Sequence, residues 1–537
     1  MKTFIDILRA PDAAYGATQV SEFRWEEEKL PCPVQFEYQI QNGFAKVIVH
    51  PSNSPVKYLK LRWRGDFSFV DKVYGDQWER AGTNAVLDWR SVNGSRVLPW
   101  FCYLIGDNKT ACYGVKTGAN CFAFWQVDTH GITLFLNLTN GWNGVQLEKP
   151  LLACEVVQVE GEIGQDCYDI AVQFSKKLCD APKIPQEPIF GVNNWYWAYG
   201  NISKEIVLQE TDYLLSMTGN TKHRPYMIID DGWQKNRTYG DNAYIGGEWT
   251  PNERFGDMRA VVESIHEKGA KVGLWFRPLL TRENVPQDAI LCEENGGKIL
   301  DPSHPYTIQK VMEDVKRIKS WGVDLIKHDF TTIDITGIQP LTSEQHAVYF
   351  IEGKRNFYDK TRTLATIIKD LYYAIQAAAG EIDVIGCNTI GHLTAGIHSV
   401  YRVGNDTSGQ NFEWTKRHGV NSIMRLPLNN AFYNVDPDCA AFTDMVNAEI
   451  NLDYLELCAI TGMTTLASVT PHILHEDEMK RIREIFQLAD KNQGNYVIKN
   501  YDKNCIPDTY IDPSGNIKKY NWDKIYDGSR TVLMWAK

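Results

Sequence analysis

Arg224-Pro-Tyr-Met-Ile-Ile-Asp230-Asp231-Gly-Trp-Gln234 is an apolar run that stops on two adjacent acids. Desolvating an ionised carboxylate costs several kcal/mol, roughly, even after relaxation, so a buried strand that ends on a pair of them needs a partner for each. Vicinal hydroxyls of a hexose supply one, because each carboxylate accepts short charge-assisted hydrogen bonds from neighbouring O–H groups. The plainer reading is a turn whose acids cap a helix. Downstream, Trp321-Gly-Val-Asp-Leu-Ile-Lys327-His-Asp329-Phe330 repeats the pattern, and Ser399-Val-Tyr-Arg402-Val-Gly-Asn-Asp406-Thr407 gives it a third time. In a barrel of parallel strands the C-terminal ends converge on one face, so acids far apart in sequence meet there.

The rest of the chain fits that frame. Strand-like runs fall at Phe190 to Asn194, Tyr226 to Asp230, Lys271 to Phe276, Asp324 to Lys327, Val384 to Cys387, Val400 to Val403, Ile423 to Leu428 and Thr464 to Ser468. Helical faces lie between them: Ile308, Val311, Met312, Val315 and Ile318 share one, and Leu364, Ile367, Ile368, Leu371 and Ile375 another. Alternating β and α segments predict a parallel sheet covered by helices, and eight of them predict a closed (β/α)8 TIM barrel. No Gly-x-Gly-x-x-Gly turn follows any strand, which disfavours an open dinucleotide-binding sheet.

Before the barrel, Leu59, Leu61 and Trp63 alternate with Lys60, Arg62 and Arg64, the period of a strand with one face in and one out. Similar runs at Phe44 to His50, Cys121 to Val127, Ile132 to Leu138 and Leu151 to Val159 predict an antiparallel β-sandwich. A helix from about Tyr168 to Leu178 leads into the proline-rich linker Asp180-Ala-Pro-Lys-Ile-Pro-Gln-Glu-Pro188. The expected α/β organisation is a sandwich over 1–180, a catalytic barrel over 188–488 and a small β appendage over 489–537.

The chain has 537 residues, 43% hydrophobic and 23% charged, and a formal net charge of -11 with no basic cluster, so nucleic acid is not an expected ligand. No apolar run reaches membrane-spanning length. The N-terminal segment has an acid inside its apolar stretch and does not read as a secretory leader. The 12 cysteines are scattered from Cys32 to Cys505 without a short-spaced framework, which suits reduced thiols in the cytoplasm. The 16 Trp include flat faces on which a pyranose stacks, although most such rings fill cores.

Glycoside hydrolysis uses two carboxyl groups flanking the anomeric carbon, and Asp329 and Asp406 are the candidate pair. Lys327, two residues before Asp329, favours the ionised form a nucleophile needs. The loop Gly-Asn-Asp406-Thr-Ser-Gly is open enough for an acid that exchanges protons with solvent.

Residues 190 to 470 resemble the catalytic barrel of the α-galactosidase (melibiase-like) glycoside hydrolase families 36 and 27. The matching pieces are Asp230-Asp231-Gly-Trp233, Gly273-Leu-Trp275, Leu325-Ile-Lys327-His-Asp329, Arg402 to Asp406 and Asn434-Val-Asp436-Pro-Asp438-Cys439, and Gly75-Asp76-Gln-Trp78-Glu79-Arg80 resembles a motif of the family 36 sandwich. The resemblance implies a retaining hydrolase that removes terminal α-linked galactose from small galactosides by double displacement. Asp329 would be the nucleophile and Asp406 the acid/base. Asp230 and Asp231 would hold O4 and O6, Lys327 and Arg402 would bind ring hydroxyls, and Trp195 and Trp275 would line the pocket. No metal and no organic cofactor is implied. The sandwich loop with Asp76 and Trp78 reaches a sugar site in some relatives, at times across an interface, so a homo-oligomer is among the expected assemblies.

Three departures mark this chain. Trp275-Phe-Arg277-Pro278 puts a base where relatives have an acid, altering an outer contact. Lys327-His328-Asp329 replaces Lys-Trp-Asp and changes the expected pocket wall. Cys387-Asn388-Thr-Ile-Gly-His392 replaces a loop that contacts the 2-position in relatives. The nearest alternatives therefore keep the mechanism and change the sugar: an α-N-acetylgalactosaminidase, a β-L-arabinopyranosidase or a raffinose-synthase-like transglycosylase. A non-catalytic sugar-binding relative would lack one of the central acids, and both are present. A metal-dependent barrel hydrolase would show His-x-His clusters, which are absent; Cys387 and His392 have no partner at metal-ligand spacing.

Overall fold

The computed structural model describes residues 2–18, 32–80, 87–92, 97–235, 247–294, 296–338, 355–491, 494–503 and 506–523. Cys505 and the last stretch of the expected C-terminal segment, 524–537, lie outside the described residues.

Two antiparallel sheets form the N-terminal sandwich. One has five strands in the order Ala13–Thr18, Val56–Arg64, Gly131–Asn137, Phe122–Asp128, Leu98–Pro99; the other has six, Phe36–Gln41, Phe44–Val49, Leu151–Glu160, Lys109–Val115, Phe101–Gly106, Val70–Gly75. Aromatic pairs join them: Tyr38 meets Trp63 at 5.6 Å and Tyr113 meets Trp125 at 6.3 Å. Leu59, Leu61 and Trp63 point into this core, as their alternation predicts, but on the other face only Arg64 is open to water, and Lys60 and Arg62 are buried. Lys60 lies over the Tyr15 ring at 4.6 Å and Arg62 pairs with Asp128 at 2.7 Å, so both are buried by neighbours that satisfy their charge. The helix Cys167–Leu178 starts on the Asp166 side chain, which accepts from Tyr168 N at 2.9 Å, and packs Phe174 against Phe101 and Tyr103.

Beyond the linker lies a curled sheet of nine parallel strands: β1 (Phe190–Asn193), β2 (Tyr226–Ile229), β3 (Lys271–Phe276), β4 (Leu325–His328), β5 (Asp383–Gly386), β6 (Val400–Arg402), β7 (Asn434–Asp436), β8 (Cys439–Phe442) and β9 (Thr465–Val469). The spatial order is β7-β6-β5-β4-β3-β2-β1-β9-β8. The two edge strands, β7 and β8, are separated in the chain only by Pro437 and Asp438. Helices cover the sheet, including Lys204–Thr218, Met258–Lys268, Pro305–Ser320, Leu364–Ala379, Phe412–Met424, Ala448–Ile460 and Glu476–Asp490.

One expected strand is misplaced. Ile423 to Leu428 is the end of the helix Phe412–Met424 followed by a 3-10 turn at Leu426–Leu428, and the strand falls instead at Asn434–Asp436. A short apolar run does not distinguish a buried helix end from a strand, and Pro427 fits the turn because it lacks the N–H a central strand must donate.

Three short strands, Val497–Ile498, Thr509–Ile511 and Ile517–Lys519, form a small antiparallel sheet near the C-terminus. Among the described residues no helix is long and apolar enough to cross a membrane.

Candidate active site

Parallel strands release their side chains at a common edge, and the acids read from sequence arrive there. Asp230, one residue past β2, is buried and accepts from Asn193 Nδ2 at 2.7 Å and Lys327 Nζ at 2.6 Å. Its backbone N–H donates to Asn194 Oδ1 at 3.0 Å, so β1, β2 and β4 are tied together by one carboxylate. Asp231, also buried, accepts from Gln234 Nε2 at 2.6 Å. The turn that follows requires glycine: Gly232 has φ 132°, and a Cβ there would lie 2.5 Å from the Gly200 carbonyl oxygen.

Lys327 is buried on β4. Burial works against its charge, but the carboxylates of Asp230 and Asp329 hold it protonated, with its pKa above the ordinary lysine value. Asp329 is half-buried, receiving the Trp275 indole N–H at 3.1 Å on Oδ2 and the Phe330 backbone N–H at 2.8 Å on Oδ1. Phe330 sits at φ 67°, the tight turn that carries the chain from β4 into the helix Thr331–Thr336.

Past β6, Asp406 presents a carboxylate whose side chain is 51% exposed. Its Oδ1 lies 3.2 Å from Arg80 Nη1 and 3.4 Å from Arg402 Nη1. Partial burial opposes ionisation, yet Arg80, Arg402 and Lys327 outweigh it and keep the carboxyl below the usual aspartate range. Arg402 is fully committed: it also pairs with Asp436 at 3.2 Å and Asp438 at 2.8 Å. Asp438, at φ 70° between β7 and β8, further accepts from the Tyr196 hydroxyl and from Thr407 N at 2.8 Å, which anchors the residue after Asp406.

No protein-family model matches the chain. An α-galactosidase of Oryza sativa subsp. japonica is 27% identical over 149 residues, 27% of this chain and 30% of that protein. The bifunctional α-galactosidase/sucrose kinase AgaSK of Mediterraneibacter gnavus is 27% identical over 101 residues, 18% of this chain and 10% of its own length. Over these stretches the chain is similar to α-galactosidases. The matched stretches span under a third of these curated relatives. Among solved structures, the Thermus thermophilus α-galactosidase TtGalA, in complex with p-nitrophenyl α-D-galactopyranoside, superposes with a TM-score of 0.59 at 17% identity, covering 90% of this chain and 95% of that one. The family 36 α-galactosidase AgaA of Geobacillus stearothermophilus gives 0.59 at 14% identity over 90% and 71%. At such identities the likeness carries the fold.

The remaining expected contacts divide. Trp195 is buried at the turn after β1 with its ring 5.6 Å from Tyr199, and Cys387 Sγ lies 4.0 Å from Arg80 Nη1, its thiol pushed well up by burial and so protonated. Asn388 turns away: its amide donates to Glu79 and its carbonyl accepts from Thr332 N at 3.2 Å, so it fastens loops and does not reach toward the acids. Asp76 is held by Arg425 at 2.6 Å, and the Trp78 ring is packed among Trp100, Phe122 and Phe124. Both are buried, so the sandwich loop reaches the acids through Arg80, two residues beyond the expected position.

Two departures also act differently from their reading. His328 does not line the site. Strand alternation sends it outward from Lys327 and Asp329, to His398 at 3.3 Å and Thr331 at 3.0 Å under the helix Leu364–Ala379, and burial drops its pKa to about 3. Arg277 makes a buried pair with Asp334 at 2.5 Å while stacking on Phe330 at 4.3 Å, supporting the turn after Asp329, and its outward partner is Glu294 at 3.8 Å. His392 stacks on Trp100 at 4.6 Å and meets the Val115 carbonyl at 2.8 Å. Among the described residues no group of three or more His, Cys, Asp or Glu is arranged to hold a metal ion.

Proposed function

We propose that this chain is a retaining glycoside hydrolase that removes terminal α-linked galactose from small galactosides. The observation that carries the reading is the set of charges around Lys327: it holds Asp230 at 2.6 Å and acts electrostatically on both Asp329 and Asp406. Acids from three strand ends thus share one buried cation at the edge where barrel active sites form.

In this reading Asp329 attacks the anomeric carbon, held for in-line approach by the Trp275 and Phe330 donors. Asp406 protonates the departing oxygen and then, as a base, activates water, so two inversions give net retention. Asp230 and Asp231 accept from two sugar hydroxyls, Lys327 donates to a third, and Trp195 offers an apolar face. β7 and β8 are read as one strand interrupted at Pro437-Asp438, which closes an eight-stranded barrel. The units proposed are 1–180, 188–488 and 489–537. The cysteine spacing favours the cytoplasm, and a homo-oligomer is the assembly the family resemblance implies.

The complexes of TtGalA with p-nitrophenyl α-D-galactopyranoside and with stachyose support this choice of substrate class. The test is hydrolysis of p-nitrophenyl α-galactoside followed by NMR, beside the α-N-acetylgalactosaminide and β-L-arabinopyranoside. First-formed α-galactose is expected. First-formed β-galactose contradicts the mechanism, and preference for another glycoside contradicts the sugar assignment.

A further inference from the structure

The loop after the sandwich strand Val70–Gly75 runs onto the C-terminal edge of the parallel sheet and is fastened there at successive residues. Arg425 takes Asp76 at 2.6 Å and donates through Nη2 to the Glu79 carbonyl at 2.7 Å. Asn388, just past β5, donates to Glu79 Oε1, and Arg80 Nε donates to the same oxygen at 3.2 Å. The Arg80 guanidinium is therefore aimed by groups from both sheets, and its Nη1 meets Asp406 Oδ1 at 3.2 Å.

We propose that Arg80 is a positioning residue for the acid/base carboxylate: the sandwich supplies the cation that orients Asp406 and sets when it carries its proton. The proposal rests on the reading of Asp406 as the acid/base. Several groups face that carboxylate. Arg402 comes from β6, Lys327 from β4 and His418 from the helix Phe412–Met424; His418 is kept neutral by burial, with a pKa near 3. Asp438 opposes ionisation of Asp406 from beyond β7, and Tyr196 and Tyr199 face it from the turn after β1. Arg402 is shared with Asp436 and Asp438, whereas Arg80 is the largest cationic influence on Asp406.

A low proton affinity favours the carboxylate form that activates water in the second displacement. It also restricts the first displacement to pH values where Asp406 still holds a proton. Removing Arg80 reverses that balance, since an opposite charge at this range shifts a carboxyl by about one unit or more.

The experiment is the pH profile of kcat/KM on p-nitrophenyl α-galactoside for the full chain, Arg80→Ala, Arg80→Lys and Asp406→Ala, with thermal unfolding as the folding control. The alkaline limb is expected to move up by about one pH unit in Arg80→Ala, to move less in Arg80→Lys, and to vanish in Asp406→Ala. A limb coincident with the unaltered chain in both Arg80 variants, while Asp406→Ala abolishes it, overturns the role of Arg80 and leaves the acid/base reading standing. A limb that survives Asp406→Ala overturns the acid/base reading and the proposal with it. Where Arg80→Ala does not fold, Arg80→Lys alone decides by the same criterion.

Discussion

The indole N–H of Trp275 donates to Oδ2 of Asp329 across 3.1 Å, joining the end of β3 to the residue after β4. A hydrogen bond to a charged group contributes about 1.5–3 kcal/mol, so its loss at an attacking carboxylate corresponds to roughly a 10- to 100-fold change in rate. Trp275→Phe keeps the aromatic packing against Trp249 and Phe330 and removes only the donor. The expected result is a fall in kcat/KM of about that size with little change in thermal midpoint. Unchanged kinetics would show that the contact does not serve Asp329 in the reaction.

The leaving group reports on Asp406. Aryl galactosides with acidic phenols need less proton donation than an oligosaccharide. Asp406→Ala should therefore retain far more activity on dinitrophenyl α-galactoside than on raffinose. Equal losses on the two substrates would contradict the acid/base assignment.

Arg277 and Asp334 form a buried pair under the turn that presents Asp329. Breaking such a pair by removing one partner costs about 3–5 kcal/mol, because the other charge stays buried. Arg277→Met should lower the urea midpoint accordingly and reduce kcat by disturbing Phe330. Asp334→Asn together with Arg277→Met should recover part of the stability, and a double variant less stable than the single one would contradict this account of the pair.

Buried titratable groups set the pH range of stability. Glu210 is buried against the Trp197 indole, and desolvation raises its pKa to about 8 from an ordinary value of 4.5. Its folded pKa is the higher one, so its stabilising contribution is full below pH 4.5 and is lost as pH rises through about 8. His328 and His392 are shifted the other way, from 6.5 to about 3 and about 4, so stability falls as pH drops below 6.5. In a scan of thermal midpoint against pH, Glu210→Gln should flatten the decline between pH 6.5 and about 8 and leave the decline below pH 4.5 unchanged. A decline of the same slope over that upper range would show that Glu210 does not carry it.

Much of this arrangement was legible in the chain. Asp230, Asp231, Asp329 and Asp406 each end an apolar run, and parallel pairing makes such ends neighbours. The period-2 rule also held the answer for His328, which follows Lys327 and must face away from it. Other features needed the fold. Lys60 and Arg62 read as solvent-facing until Tyr15 and Asp128 cover them. Ile423 to Leu428 has the composition of a strand and the geometry of a helix end. Arg80 meets Asp406 across 326 residues, a pairing that no local pattern encodes.

Covalent attachment of the sugar to Asp329 is tested by chemical rescue. Asp329→Gly should be inactive on p-nitrophenyl α-galactoside, and added azide should restore release of the phenol by entering from the vacated face. The expected product is β-galactosyl azide, identified by NMR. Absence of rescue in the folded variant, or α-galactosyl azide as the product, would contradict covalent attachment at Asp329.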